Sequence, residues 1–180
     1  RVLLGDEVDL GHEVLVDLRG GRVDAGHALG REARDIYAIA ARCICGKPTV
    51  VHTAPRLADG TPFPTSYYLT HKGATSAVST LEASGLMAEL QQRLADEPEL
   101  AAAYQAAHEA FIADRDKTAH ELGLDVPEIA GISAGGMPTR VKCLHALIGH
   151  SLAAGPGVNP IGDIALAACS WSPNKCACES

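Results

Sequence analysis

The soft donors set the first question, because thiols and imidazoles at short spacing are what a protein uses to hold a metal ion. The chain carries six cysteines, at Cys43, Cys45, Cys143, Cys169, Cys176 and Cys178. Cys43 and Cys45 flank a single residue. In an extended strand alternate residues share a face, so both thiols point one way, and Gly46 permits the tight turn that aims them at a common centre. A closed zinc site needs four such donors. Cys143 offers a third from a different part of the chain. The fourth is expected from the tail, at Cys176 or Cys178, or from a strand histidine such as His52. The expected ligand set is therefore Cys43, Cys45, Cys143 and Cys176, and four thiolates suit either zinc or an iron–sulfur cluster. The Cys-x-Cys spacing lacks the two-residue spacer of zinc knuckles, and the competing reading is of small buried residues or free thiols.

A second concentration of chemistry runs from Gly131 to Asp163. Ser133-Ala134-Gly135-Gly136 leads to Pro138, which is expected to open a helix that Gly155-Pro156 closes. A helix N-terminus presents unpaired N–H groups and the positive end of its dipole. With Ser133, Gly135, Gly136, Arg140 and Lys142 on one side and Arg56, Thr61 and Thr65 on the other, the expected ligand is a small anion such as phosphate or a carboxylate. On a helix starting at Pro138, Cys143 and His150 share a face but stand about 10 Å apart along the axis. His145 would point about 160° away from Cys143. Such a helix gives a metal only one ligand, Cys143. A nucleophilic Cys143 with a histidine base is a third reading, without an ordered motif behind it. His71, His108 and His120 read as helix-surface or cap residues.

The elements that must position these groups follow from hydrophobic period and turn residues. Alternation from Asp35 into Cys45-Gly46, the β-branched run Thr49 to Thr53 and the segment Phe63 to Thr70 read as three strands. Their short connections, including Asp59-Gly60, require antiparallel pairing. Helices are expected from a Thr70 cap to Ser84, from Leu86 to Ala95, from Pro98 to Gly123 and from Pro138 to Gly155. A last one should begin at Pro160 behind an Asn159 cap. The stripe Tyr104, Ala107 and Phe111 is expected in the core. A strand or helical turn around Glu13 to Leu18 and a helix from Val23 to Glu32 complete the reading. The expected fold is α+β, a small three-stranded antiparallel sheet followed by and packed against four or five helices. Residues 1–180 read as a single domain with a poorly defined segment at 1–30 and a cysteine-bearing tail at 170–180.

Composition narrows the partners. A net charge of −7 with 15 basic against 22 acidic residues disfavours a general nucleic-acid binder. No apolar run reaches the roughly 18 residues of a membrane span. Asp6, Glu7 and Asp9 interrupt the start where a signal peptide needs an apolar core. A cytoplasmic protein with thiols or metal ligands, in preference to a disulfide framework, is the expectation.

Three blocks carry a resemblance: Ala41-Arg42-Cys43-Ile44-Cys45-Gly46-Lys47-Pro48; Thr53-Ala54-Pro55-Arg56-Leu57-Ala58-Asp59-Gly60 through Tyr67-Tyr68-Leu69-Thr70; and Ser133 through His145 to Gly155-Pro156-Gly157-Val158-Asn159-Pro160. Over residues 25–168 the chain closely resembles the bacterial domain-of-unknown-function family number 501, and departs from it at residues 1–24 and in the tail. The resemblance implies no established activity. It implies a contextual link to cell division or phosphate metabolism, since family members are encoded beside a septum-formation initiator and an exopolyphosphatase-like protein. The reading that follows is a regulatory or binding protein with a structural metal centre and a small-anion or protein-partner surface near Arg140. The alternative is an enzyme acting on a phosphorylated small molecule.

Overall fold

A computed structural model describes residues 15–16, 22–23, 35–175 and 178. Two short strands, β1 (Leu15–Val16) and β2 (Arg22–Val23), pair antiparallel. The rest of the expected helix from Val23 to Glu32 lies outside the described residues, as does Cys176.

The main sheet is an antiparallel meander of β3 (Ile36–Arg42), β4 (Pro48–Thr53) and β5 (Tyr67–Leu69) in that spatial order. Val50 and Val51 supply the β-branched centre and are essentially inaccessible. The third strand is shorter than the expected Phe63–Thr70. Pro62 and Pro64 lack the N–H groups a ladder requires, and the chain before Ser66 forms its own loop, with Arg56 bridged to Pro62 and Leu57 N–H donated to Thr61. The Asp59-Gly60 turn lies inside that loop, where Asp59 accepts the Thr61 N–H at 2.9 Å.

Among the described residues five α-helices follow: α1 (Lys72–Ala83), α2 (Leu86–Asp96), α3 (Pro98–Glu121), α4 (Leu144–Ala154) and α5 (Pro160–Ala168). The cap of α1 is His71 and not Thr70. On α3 the expected stripe is the core: Tyr104, Ala107 and Phe111 are fully buried, and each of the large ones contributes about 2 kcal/mol of burial. Asn159 caps α5 through the Gly162 N–H at 2.9 Å. Gly162 also lets α5 lie on α4, since a Cβ there would strike the Leu147 carbonyl. Among the described residues no helix is long and apolar enough to cross a membrane.

The helix expected from Pro138 begins only at Leu144. Residues 134–143 instead fold into a tight turn closed by Met137 N–H to Ala134, Arg140 N–H to Gly136 and Lys142 N–H to Gly135. Gly135 and Gly136 take positive φ, and a Cβ on Gly136 would sit 2.5 Å from the Arg140 carbonyl oxygen. The glycines thus build a compact turn where a helix was expected. Cys143 is left as the extended residue that precedes α4.

Candidate functional site

At the end of β3 the chain reverses through Cys43 to Lys47, tied by the Cys43 N–H to Lys47, the Gly46 N–H to Cys43 and the Arg42 guanidinium to the Gly46 carbonyl. Gly46 takes φ of 87°, the left-handed conformation such a turn requires. The tail returns to this turn. Ile44 donates its N–H to Pro173 at 3.2 Å, and Trp171 is buried with its ring 5.1 Å from that of His71. Cys178 is thereby delivered to the Cys-x-Cys pair. The sulfur atoms of Cys43, Cys45 and Cys178 all lie within 4.8 Å of one another, and Cys45 is 3.4 Å from Cys178. Zn–S bonds of about 2.3 Å place tetrahedral sulfurs about 3.8 Å apart, so the spacing fits a thiolate-bound ion.

His71 stands beside this group with Nε2 at 3.0 Å from the Cys178 sulfur. Its other nitrogen, Nδ1, accepts the Ala74 N–H at 3.1 Å as the cap of α1. Burial holds its pKa below the usual histidine range, with Lys47 pushing the same way. In the neutral ring an accepting Nδ1 leaves the proton on Nε2, so His71 donates to the sulfur of Cys178. A histidine that ligates a metal normally donates its second nitrogen instead. The cap therefore makes His71 a hydrogen-bond donor to the Cys178 sulfur.

Cys143 lies elsewhere. It groups with Glu82 and His145, whose ligating atoms and its own lie within 4.8 Å of one another. Glu82 is eleven residues beyond His71 on α1, about 16 Å at the helical rise. Because Cys143 is the extended residue before α4, helical angles do not separate it from His145. Glu82 accepts the Leu144 N–H at 2.7 Å and lies 3.1 Å from His145 Nδ1. His145 is raised to about 9 by its hydrogen bond to Cys143, with Glu82 and the Thr75 carbonyl adding to the shift against burial.

Several of the residues expected to form an anion site are engaged with the protein itself. Arg56 is clamped by both Glu128 oxygens and by the carbonyls of Gly60 and Asp125. The Ser133 hydroxyl is 2.8 Å from His108 Nδ1. Gly135 and Gly136 accept hydrogen bonds inside their own turn, the Val141 N–H goes to Gln91, and the first N–H of α4 goes to Glu82. Arg140 and Lys142 are exposed and remain as a cationic surface.

Sequence reasoning missed Glu82 and the pairing of His71 with Cys178. The position of His71, just after a strand and before a helix, was a readable signal for its cap but not for its second contact. It also missed a row of rings across the sheet: Tyr37 to His52 at 5.4 Å, His52 to Tyr67 at 4.7 Å and Tyr67 to His150 at 5.6 Å. Tyr67 donates to Asp114 at 3.0 Å, and burial together with that carboxylate drives its pKa far upward.

A family model described as protein of unknown function (DUF501) matches residues 39–167. No curated protein and no solved structure matches the chain. Cys43, Cys45 and His71 fall within the matched span, and Cys178 falls beyond it.

Proposed function

The chain belongs to the DUF501 family of proteins of unknown function, and from its own residues we propose a regulatory or binding protein whose tail is fastened by a structural metal centre. The observation that carries this is the convergence of Cys43, Cys45 and Cys178 within 4.8 Å, although Cys178 is 133 residues from Cys45 in the chain. Ionised as thiolates, three sulfurs packed this closely would repel one another, and a divalent cation is a group that would reconcile them. Zinc suits the donors best, with an iron–sulfur cluster as the alternative occupant. Cys43, only 3% exposed, is the buried member of the group, with Cys178 half-buried and Cys45 exposed. Cys176 is the fourth ligand offered by the sequence, in a second Cys-x-Cys pair with Cys178. His71 supports the site from outside by its bond to sulfur.

The role of such an ion is to hold the segment after α5 against the β3–β4 turn, and so to fix the surface formed by both. Exposed Arg140 and Lys142 offer a place for a small anion or a protein partner. The alternative, an enzyme acting on a phosphorylated small molecule, is less well supported, because Arg56, Ser133 and the first N–H of α4 are engaged with the protein itself.

Elemental analysis and native mass spectrometry of protein purified without a metal-affinity tag test the centre. Zinc or iron that is retained by the wild type and lost in Cys43→Ser and Cys178→Ser is expected. Comparing Cys176→Ser with His71→Ala identifies the fourth ligand, with the larger loss of metal expected for Cys176→Ser. Metal-free wild type in a reducing buffer, unable to take up zinc, iron or a reconstituted cluster, would end the reading.

A further inference from the structure

We propose that Glu82, Cys143 and His145 form a second metal site, open on one side, that takes a zinc-like divalent cation. It is independent of the tail centre, which shares none of these residues. The imidazole of His145 fixes which atoms face the site. His145 Nε2 is 3.2 Å from the Thr75 carbonyl oxygen. A carbonyl can only accept, so Nε2 carries hydrogen. The lone pair of the neutral ring is then on Nδ1, which faces Glu82 Oε1 at 3.1 Å. Two lone pairs that close need a cation between them, and either a proton or a metal ion can serve. The Cys143 sulfur lies within 4.8 Å of a ring nitrogen of His145 and of a Glu82 carboxylate oxygen, and makes the position suited to a metal.

The supporting shell points the same way. A ligating histidine that donates its other ring N–H to a backbone carbonyl is the usual arrangement at metal sites, and it is the reverse of what the α1 cap imposes on His71. Glu82 is held in place by the Leu144 N–H at 2.7 Å. With Zn–O and Zn–N bonds of about 2.0–2.1 Å, tetrahedral donors stand about 3.4 Å apart, close to the spacing of Glu82 and His145. All three donors are half-buried. The Glu82 and His145 side chains are 25% and 28% exposed. Three protein donors of mixed type, with a fourth position reachable from solvent, match an ion that binds water or an exchangeable oxygen ligand.

Ion counting by native mass spectrometry separates the two sites. Metal-free protein is titrated with zinc, using wild type, Cys43→Ser/Cys45→Ser, Cys143→Ser and His145→Gln. Serine is a favoured residue before a helix, so Cys143→Ser removes the thiolate without weakening the start of α4, and melting curves check that each variant is folded. Two ions in the wild type are expected, with one lost in Cys43→Ser/Cys45→Ser and the other lost in Cys143→Ser and in His145→Gln. A single ion that survives Cys43→Ser/Cys45→Ser but not Cys143→Ser would support this site and overturn the tail centre. A single ion lost only with the Cys43 pair, or a second ion that persists in both Cys143→Ser and His145→Gln, would overturn this site and leave a proton between His145 and Glu82.

Discussion

Glu82 on α1 accepts the backbone N–H of Leu144 at 2.7 Å, so the start of α4 is satisfied by a carboxylate from another helix. The same oxygen lies 3.1 Å from His145 Nδ1. One side chain therefore orders the first turn of α4 and couples it to α1.

Removing that carboxylate should cost as much as losing a helix cap. Glu82→Ala is expected to lower stability by about 1–2 kcal/mol, and Glu82→Gln by less, because the amide oxygen can still accept from Leu144. Chemical denaturation with an unchanged slope checks this. Equal losses in the two variants would show that the Leu144 bond is not the important contact.

The proposed metal centre at the tail predicts an optical change. Trp171 is the chain's one tryptophan, and its ring lies 5.1 Å from His71 in a buried position. Stripping metal from the holoprotein with a chelator is expected to release the tail, move Trp171 into water and shift its emission to the red. Cys178→Ser should show the shifted spectrum before any chelator is added. An emission spectrum insensitive to both would place the fastening of the tail in Trp171 packing alone.

Much of this frame was legible because local rules and tertiary packing agreed. The strands around Val50 and Tyr67, the Pro98 helix start and the Asn159 cap each follow from residues within a few positions. The site was harder, since its distances join parts of the chain far apart. Cys45 and Cys178 form a pair that no local pattern encodes, and Glu82 reaches Leu144 from a different helix. The misplacement of the α4 start had a local cause. Pro138 after two glycines has the signature of a helix opening, and only the packing of Gly136 on Arg140 shows that the segment turns instead. With α4 starting at Leu144, Cys143 and His145 come together.

Arg115 on α3 is almost completely buried, and its guanidinium donates to the Ile132 carbonyl and to Asp116. Asp116 is mostly exposed, so the pair itself is screened, and the bond to the loop carbonyl is the larger contribution. Arg115→Met is expected to cost about 2–3 kcal/mol. Arg115→Lys should be nearly as damaging, because a single ammonium cannot span both acceptors. Limited proteolysis should then cut first within residues 123–133. A fully tolerated lysine would show that only the charge matters.

The last expectation concerns acid. His150 is completely inaccessible, stacked on Tyr67 and edge-on to Phe111. Asn159 uses its oxygen to cap Gly162, so its amide nitrogen donates to His150 Nδ1 at 3.2 Å. The ring proton is then on Nε2, which is buried without a partner among the described residues. Burial pushes the His150 pKa down to about 4, against the opposing pull of Asp114 and Asp163. Between that value and about 6.5 the unfolded chain binds a proton that the folded chain refuses. Stability from this group is thus fully present above about pH 6.5 and is lost as pH falls toward 4, at about 1.4 kcal/mol per pH unit and about 3 kcal/mol in all. Half-buried His52, also lowered mainly by burial, adds to the same slope. His150→Gln keeps an acceptor for Asn159 but does not titrate. Its stability should therefore fall less steeply than that of the wild type across this window, and parallel curves would mean that His150 is protonated in the folded protein.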